Sequence, residues 1–134
     1  MSAAPLIVSA VAVVRDRAVL MVTARGREVY YMPGGKVDPG ETAVQAAARE
    51  AFEEVSLQFH PDDLEELFEV RTQAHGEPEG REVHMSVFAA ELDREARPSG
   101  EIDSLHWVDG SDAGRCPPAG VETLRLLRGL DLVD

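Results

Sequence analysis

Residues 6–14 are almost all apolar and rich in Val and Ile, which predicts a strand buried on both faces. Arg15, Asp16 and Arg17 break the run as a turn. Residues 19–23 predict a second strand, and residues 29–32 a short third one that stops at Pro33. Gly34, Gly35, Pro39 and Gly40 then crowd seven residues with breakers, so a loop of defined shape follows. Asp38-Pro39-Gly40-Glu41 suits a type II turn, with Pro fixing the first central residue and Gly taking the positive φ of the second. Thr42 with Gln45 three positions later is a capping-box pattern, and the Ala- and Glu-rich run to Val55 contains no breaker, which predicts a helix.

Beyond that helix, residues 64–74 and 82–92 predict an antiparallel hairpin joined by the polar loop around Gly76, Pro78 and Gly80. Residues 102–108 predict a further strand. In residues 120–130, Val121, Leu124 and Leu127 recur with Arg125 and Arg128 between them, the pattern of an amphipathic final helix. Strands and helices mixed in this order predict an α/β protein, a mixed sheet with helices packed on its faces. The 134 residues are about the size of one ordinary domain and carry no internal repeat or linker. One domain over residues 1–134, with one principal site, is expected.

Around the predicted helix, Val44, Ala47, Ala48, Ala51, Phe52 and Val55 fall within roughly 140° of one another, the expected buried face. Glu50, Glu53 and Glu54 are related as i, i+3 and i+4 and occupy an arc of about 100° on a different side. Like charges at these spacings cost an isolated helix a few tenths of a kcal/mol per pair, roughly. A hard cation reverses that sign, and magnesium takes oxygen ligands while keeping several waters, so carboxylates beside a phosphate group suit it. Arg49, four residues before Glu53, can orient one carboxylate and leave its other oxygen for a metal. Taken alone, the cluster reads first as an exposed acidic stripe on a surface helix, and only the spacing around it favours a metal site.

Charge and composition narrow the function. A formal net charge of -12 argues against a broad grip on a nucleic-acid polymer or an anionic membrane, both of which use clustered Lys and Arg. A polyanionic substrate would therefore need a local cation, which a bound divalent ion supplies. Cys116 is the only cysteine, so an intramolecular disulfide and a Cys-based zinc cage are excluded. His60, His75, His84 and His106 lack metal-ligand spacing. The apolar run of residues 6–14 is too short to span a bilayer and has no positive residue before it, so a cytoplasmic location is expected.

Gly35, Glu41 after five residues, Arg49-Glu50 after seven more, and Glu53-Glu54 after two form a fixed spacing. From Gly35 to Leu57 the chain resembles the Nudix hydrolase family, whose signature places Gly, Glu, Arg-Glu and Glu-Glu at these intervals. Two positions depart from the pattern: Ala51 is a small choice for the apolar site, and Ser56 replaces the final Gly. The resemblance, MutT-like, implies an α/β/α sandwich with a mixed sheet, and a Mg²⁺ ion held by Glu50, Glu53, Glu54 and the Gly34 carbonyl, with Mn²⁺ as a substitute. It also implies a small nucleotide substrate linked through a diphosphate, no nucleic-acid polymer or membrane as partner, and a homodimer as a frequent state of relatives. The general base is expected to be Glu50, inside the cluster, or else Glu101, in the loop before the Trp107 strand. Arg25 sits where relatives often contact phosphate. Lys36, the only lysine beside twelve arginines, offers a point charge from within the glycine loop.

The stretch Arg71-Thr72-Gln73-Ala74 carries neither the Pro that accompanies ADP-ribose hydrolysis in the family nor the Tyr that accompanies dinucleoside polyphosphates. A (deoxy)nucleoside triphosphate is the default by elimination, with a nucleotide sugar or a non-catalytic nucleotide sensor as alternatives. A prenyl-diphosphate isomerase needs a Cys and Glu pair, and Cys116 lies outside the predicted strands. A calcium module of the EF-hand type needs alternating Asp and Asn ligands, which are absent. At the helix end, Ser56 is expected either to sit strained in a left-handed cap or to bond a free carbonyl through its hydroxyl.

Overall fold

The computed structural model describes residues 4–134. Along them run β1 (Leu6–Arg15), β2 (Ala18–Ala24), β3 (Gly34–Lys36), α1 (Ala43–Val55), β4 (Glu65–Gln73), β5 (Glu82–Ala90), β6 (Ile102–Val108) and α2 (Pro118–Gly129). Short 3₁₀ turns lie at Pro61–Asp63 and Gly110–Arg115. The strands form one mixed sheet in the order β4-β5-β1-β2-β6, with β3 added to β1. β1 and β5 are parallel and the other pairs antiparallel.

Side chains alternate across a pleated strand, and here the alternation builds two cores. Val11, Val13, Leu20, Val22 and Phe88 face α1, where Ala47, Ala51 and Val55 meet them. Ala10, Ala12, Val19, Met21 and Val87 face α2 through Leu124 and Leu127. The result is the α/β/α sandwich, with β1 buried on both faces as its apolar run predicts. Between β1 and β2 the chain turns through Asp16 (φ 53°) and Arg17 (φ 63°), both left-handed, the geometry that matches the twist of a two-residue hairpin. Arg17 is anchored there by Asp134 at 2.6 Å and Asp131 at 2.8 Å.

Three local expectations are corrected. The third strand is not residues 29–32, where Tyr31 makes only an isolated bridge to Val22; it is Gly34–Lys36, inside the predicted loop. β1 pairs with β2 only at Val14–Val19 and Arg15–Ala18 and then diverges from it. Residues 33–36 fill the opening, with the Val11 amide donating to the Pro33 carbonyl and Ala10 opposite Gly34. Phe52 is exposed, at 58%, while Ala46 is buried, so the inner face of α1 is turned towards the side that carries Glu50 and Glu54. In α2 the buried positions are Gly120, Thr123, Leu124 and Leu127, and Val121 faces solvent.

Ser56 ends α1 in the left-handed conformation (φ 60°, ψ 26°). Its hydroxyl donates to the Arg97 carbonyl at 3.2 Å, in a loop distant in sequence, so the expected left-handed cap is found while the expected bond to a carbonyl of the helix end is not.

Gly34 packs so closely on β1 that a Cβ there would run into the Ser9 carbonyl oxygen and lie 2.9 Å from Ala10 Cβ. Gly34→Ala is therefore expected to cost about 1–3 kcal/mol or more through overpacking, measured by urea unfolding.

Candidate metal and phosphate site

The site is assembled by the turn and cap that start α1. The Glu41 amide donates to the Asp38 carbonyl at 3.0 Å, and Gly40 supplies a φ of +80°. The capping box closes with the Gln45 amide on Thr42 Oγ1 at 3.2 Å and the Thr42 amide on Gln45 Oε1 at 2.9 Å. This entry turns Glu41 back along the helix, onto Arg49.

Arg49 spends all five of its N–H donors on this region. Nε and Nη2 grip the two oxygens of Glu41 at 2.8 and 2.9 Å, a bidentate pair. Nη2 also reaches the Lys36 carbonyl at 3.0 Å. Nη1 holds Glu50 Oε1 at 2.8 Å and Glu53 Oε2 at 3.3 Å. The hydrogen bonds from Arg49, with a smaller one from the Asp38 amide, bring the Glu41 carboxyl down to about 2. In turn the hydrogen bond to Glu41, and after it the one to Glu50, raise the already high pKa of Arg49 against the effect of burial.

The remaining carboxylate, Glu54, is oriented by the glycine loop: the Gly34 amide donates to its Oε1 at 2.8 Å. Burial, followed by the charges of Glu50, Glu53 and Glu101, raises the Glu54 carboxyl to about 7 against the bond from Gly34. Gly35 explains its place in the spacing, because a Cβ there would occupy the position of the Glu50 carboxylate. Each of Glu50, Glu53 and Glu54 thus commits one oxygen to Arg49 or Gly34, and the other takes no part in these bonds.

Among the described residues, no three acidic, His or Cys side chains close into a metal cage by themselves. The donor set nevertheless fits a hard divalent ion: three carboxylates within one helical turn, one buried and disfavoured as a bare anion, each with an oxygen to offer. Such an ion would keep several waters and share its shell with a phosphate.

Glu101 enters this field from the loop before β6. Its carbonyl accepts from the Arg25 amide at 3.1 Å, so these two expected residues are neighbours through their backbones, with both side chains exposed. Lys36 contributes its carbonyl to Arg49, and its ammonium forms no ion pair among the described residues. Three of the four histidines lie elsewhere: His106 stacks on Tyr30 with centroids 4.4 Å apart, His60 caps a 3₁₀ turn, and His84 meets Glu82. Burial pushes the Cys116 thiol up to about 11, in keeping with an inert residue.

A cleft of about 310 Å³ opens where β1 and β2 diverge. Gly34, Gly35 and Glu54 form one part of its wall, and Val8, Met85, Ile102, Tyr31 and His75 are among the mostly apolar remainder. Of the residues that line it, Ser9 and Tyr31 carry buried hydroxyls with no hydrogen-bond partner among the described residues. Neither Ser9 nor the role of Glu41 as the holder of Arg49 was visible as site chemistry in the sequence. The Glu41 spacing signalled importance without saying why.

The NUDIX domain family profile matches residues 5–128. No curated protein matches the sequence. Among solved structures, the MutT protein of Methanosarcina mazei Go1 is similar at 20% identity and TM-score 0.75, with 97% of this chain and 98% of that chain covered. The E. coli dihydroneopterin triphosphate pyrophosphohydrolase is similar at 21% identity and TM-score 0.70, covering 94% and 97%. A bifunctional NMN adenylyltransferase/ADP ribose pyrophosphatase from Francisella tularensis, complexed with AMP and a Mn ion, is similar at 19% identity and TM-score 0.69, covering 97% of this chain and 42% of that one. At these identities the likeness is one of fold.

Two outcomes are expected from this geometry. Arg49→Lys keeps a charge but has too few donors for the fork, and should lower divalent-metal affinity about 10–100-fold, read by calorimetric titration. Glu54 has a folded pKa near 7 against an ordinary 4.5, so folding favours its protonated form: that stability is full below about 4.5 and is lost as pH rises through about 7. In chelator, the unfolding midpoint of the wild type should therefore fall relative to Glu54→Gln over that interval, measured by thermal unfolding.

Proposed function

This chain belongs to the Nudix hydrolase family, and we propose that it cuts a diphosphate bond in a nucleoside-diphosphate-linked substrate, with a (deoxy)nucleoside triphosphate as the first candidate. The family comprises pyrophosphohydrolases that act on small nucleotide-linked molecules and generally use divalent metal ions. For this chain the ion is Mg²⁺, with Mn²⁺ able to replace it.

The observation that carries the proposal is the wall shared between the cleft and the carboxylates. Glu54, Gly34 and Gly35 belong to both, so a substrate with its organic group in the apolar cleft would present its phosphates to the glutamates. A largely apolar pocket with few polar groups suits such a group. Ala74, which ends the stretch without the family's substrate markers, and His75 just after it line the same cleft.

Glu50, Glu53, Glu54 and the Gly34 carbonyl would hold the ion, which when bound would neutralise diphosphate charge and lower the pKa of a water. Arg49 keeps Glu50 and Glu53 facing that point while Gly34 does so for Glu54. Glu50 takes the proton of the attacking water, with Glu101 as second candidate, since a base must lie within hydrogen-bond reach of the proton it removes. Arg25 and Lys36 supply exposed positive charge near an otherwise acidic site. Hydrolysis is favoured over sensing because the glutamate cluster is complete and its supporting bonds are all made.

A panel of nucleoside triphosphates and nucleotide sugars with Mg²⁺, separated into phosphate and pyrophosphate products, should show turnover of at least one compound. No turnover by folded protein in Mg²⁺ or Mn²⁺ would falsify the proposal. Glu53→Gln and Glu54→Gln should each lose about 100-fold or more in rate, whereas Glu66→Gln on β4 should stay within about threefold.

A further inference from the structure

The last carbonyls of an α-helix lack partners within the helix, and at the end of α1 those carbonyls belong to the residues that carry the site. The Glu53 carbonyl accepts from Ser99 Oγ at 2.5 Å, the Glu54 carbonyl from the Ser99 amide at 2.9 Å, and the Val55 carbonyl from the Arg97 amide at 2.9 Å. Ser56 returns the bond to the Arg97 carbonyl. Gly100 follows with φ +62°, and a Cβ there would lie 3.2 Å from the Glu53 carbonyl. The chain then reaches Glu101, whose own carbonyl is tied to Arg25. Loop 97–100 is thus sewn to the helix at the two glutamates, and Glu101 is the next residue out.

We propose that Ser99, supported by Ser56, is a positioning residue that hangs the Glu101 loop from the C-terminal carbonyls of α1 and so fixes Glu101 beside the carboxylate cluster. Ser99 is suited to this because one residue caps two successive carbonyls, one by its amide and one by its hydroxyl. Ser56 is suited because its hydroxyl supplies a bond that a glycine at this position could not. The inference rests on the proposed role of Glu101 in the hydrolytic site.

The test is a double-mutant cycle with rescue, using the nucleotide that turns over fastest. Ser99→Ala keeps the amide bond to Glu54 and should fold; it should lower kcat roughly tenfold through misplacement of Glu101, with KM within about twofold. Ser99→Thr restores the hydroxyl and should recover kcat to within about threefold. In a Glu101→Gln background, Ser99→Ala should cost less than about twofold, because the two residues act as a unit. An equal loss in both backgrounds, or no recovery by threonine, would overturn the proposal. Amide hydrogen exchange of residues 97–101 should quicken in Ser99→Ala while residues 43–52 stay unchanged. Unchanged exchange in the loop would overturn the tether whether or not any nucleotide turns over, whereas absence of wild-type turnover strikes the hydrolytic assignment instead.

Discussion

Glutamates packed into one helical turn repel one another, and the architecture of this site follows from how Arg49 contains that repulsion. Its guanidinium has five donors and all five are placed, on Glu41, Lys36, Glu50 and Glu53. A lysine could not make this set, since its charge is compact and its donors do not form a planar fork. The bidentate grip on Glu41 is possible only because the Asp38–Glu41 turn and the Thr42 capping box deliver that side chain to the helix. Loop and helix are therefore one unit, and the carboxylate oxygens left over point to a shared purpose.

The sheet supplies the other half of the arrangement. β1 and β2 part after a short pairing, and residues 33–36 enter the gap. That insertion needs glycine at position 34, where the backbone of β1 is too near for a Cβ, and at 35, where Glu50 takes the space. The same divergence opens the cleft beside Glu54. One irregularity in the sheet thus places an apolar pocket and a charged cluster side by side, the juxtaposition on which a nucleotide-cleaving function depends.

Much of this was legible in the sequence because it is local. The capping box, the type II turn, the strands at 102–108 and in β1, and the spacing from Gly35 to Glu54 each depend on neighbours a few residues apart, and the matching family profile supports the resemblance drawn from that spacing. The rest depends on contacts distant in sequence. Residues 29–32 look like a strand by composition, yet the partner strand available to them offers only the bridge at Val22, whereas Gly34–Lys36 looks like a loop and pairs because β1 lies against it. Phe52 was expected inside, but α1 is rotated so that Ala46 is covered and Glu50 and Glu54 border the core. No periodicity reveals that Ser99 caps a helix 46 residues earlier.

In the proposed site, Arg49 and the glycine loop hold Glu50, Glu53 and Glu54 ready for a divalent ion whose shell a nucleotide completes. A titration of Mn²⁺ followed by electron paramagnetic resonance, with and without a non-hydrolysable nucleoside triphosphate, tests this most directly. Mn²⁺ should bind the wild type, the nucleotide should tighten that binding by about tenfold or more, and both effects should disappear in the Glu53→Gln, Glu54→Gln double variant. Binding of equal strength in that variant, or no effect of any nucleotide on the wild type, would contradict it.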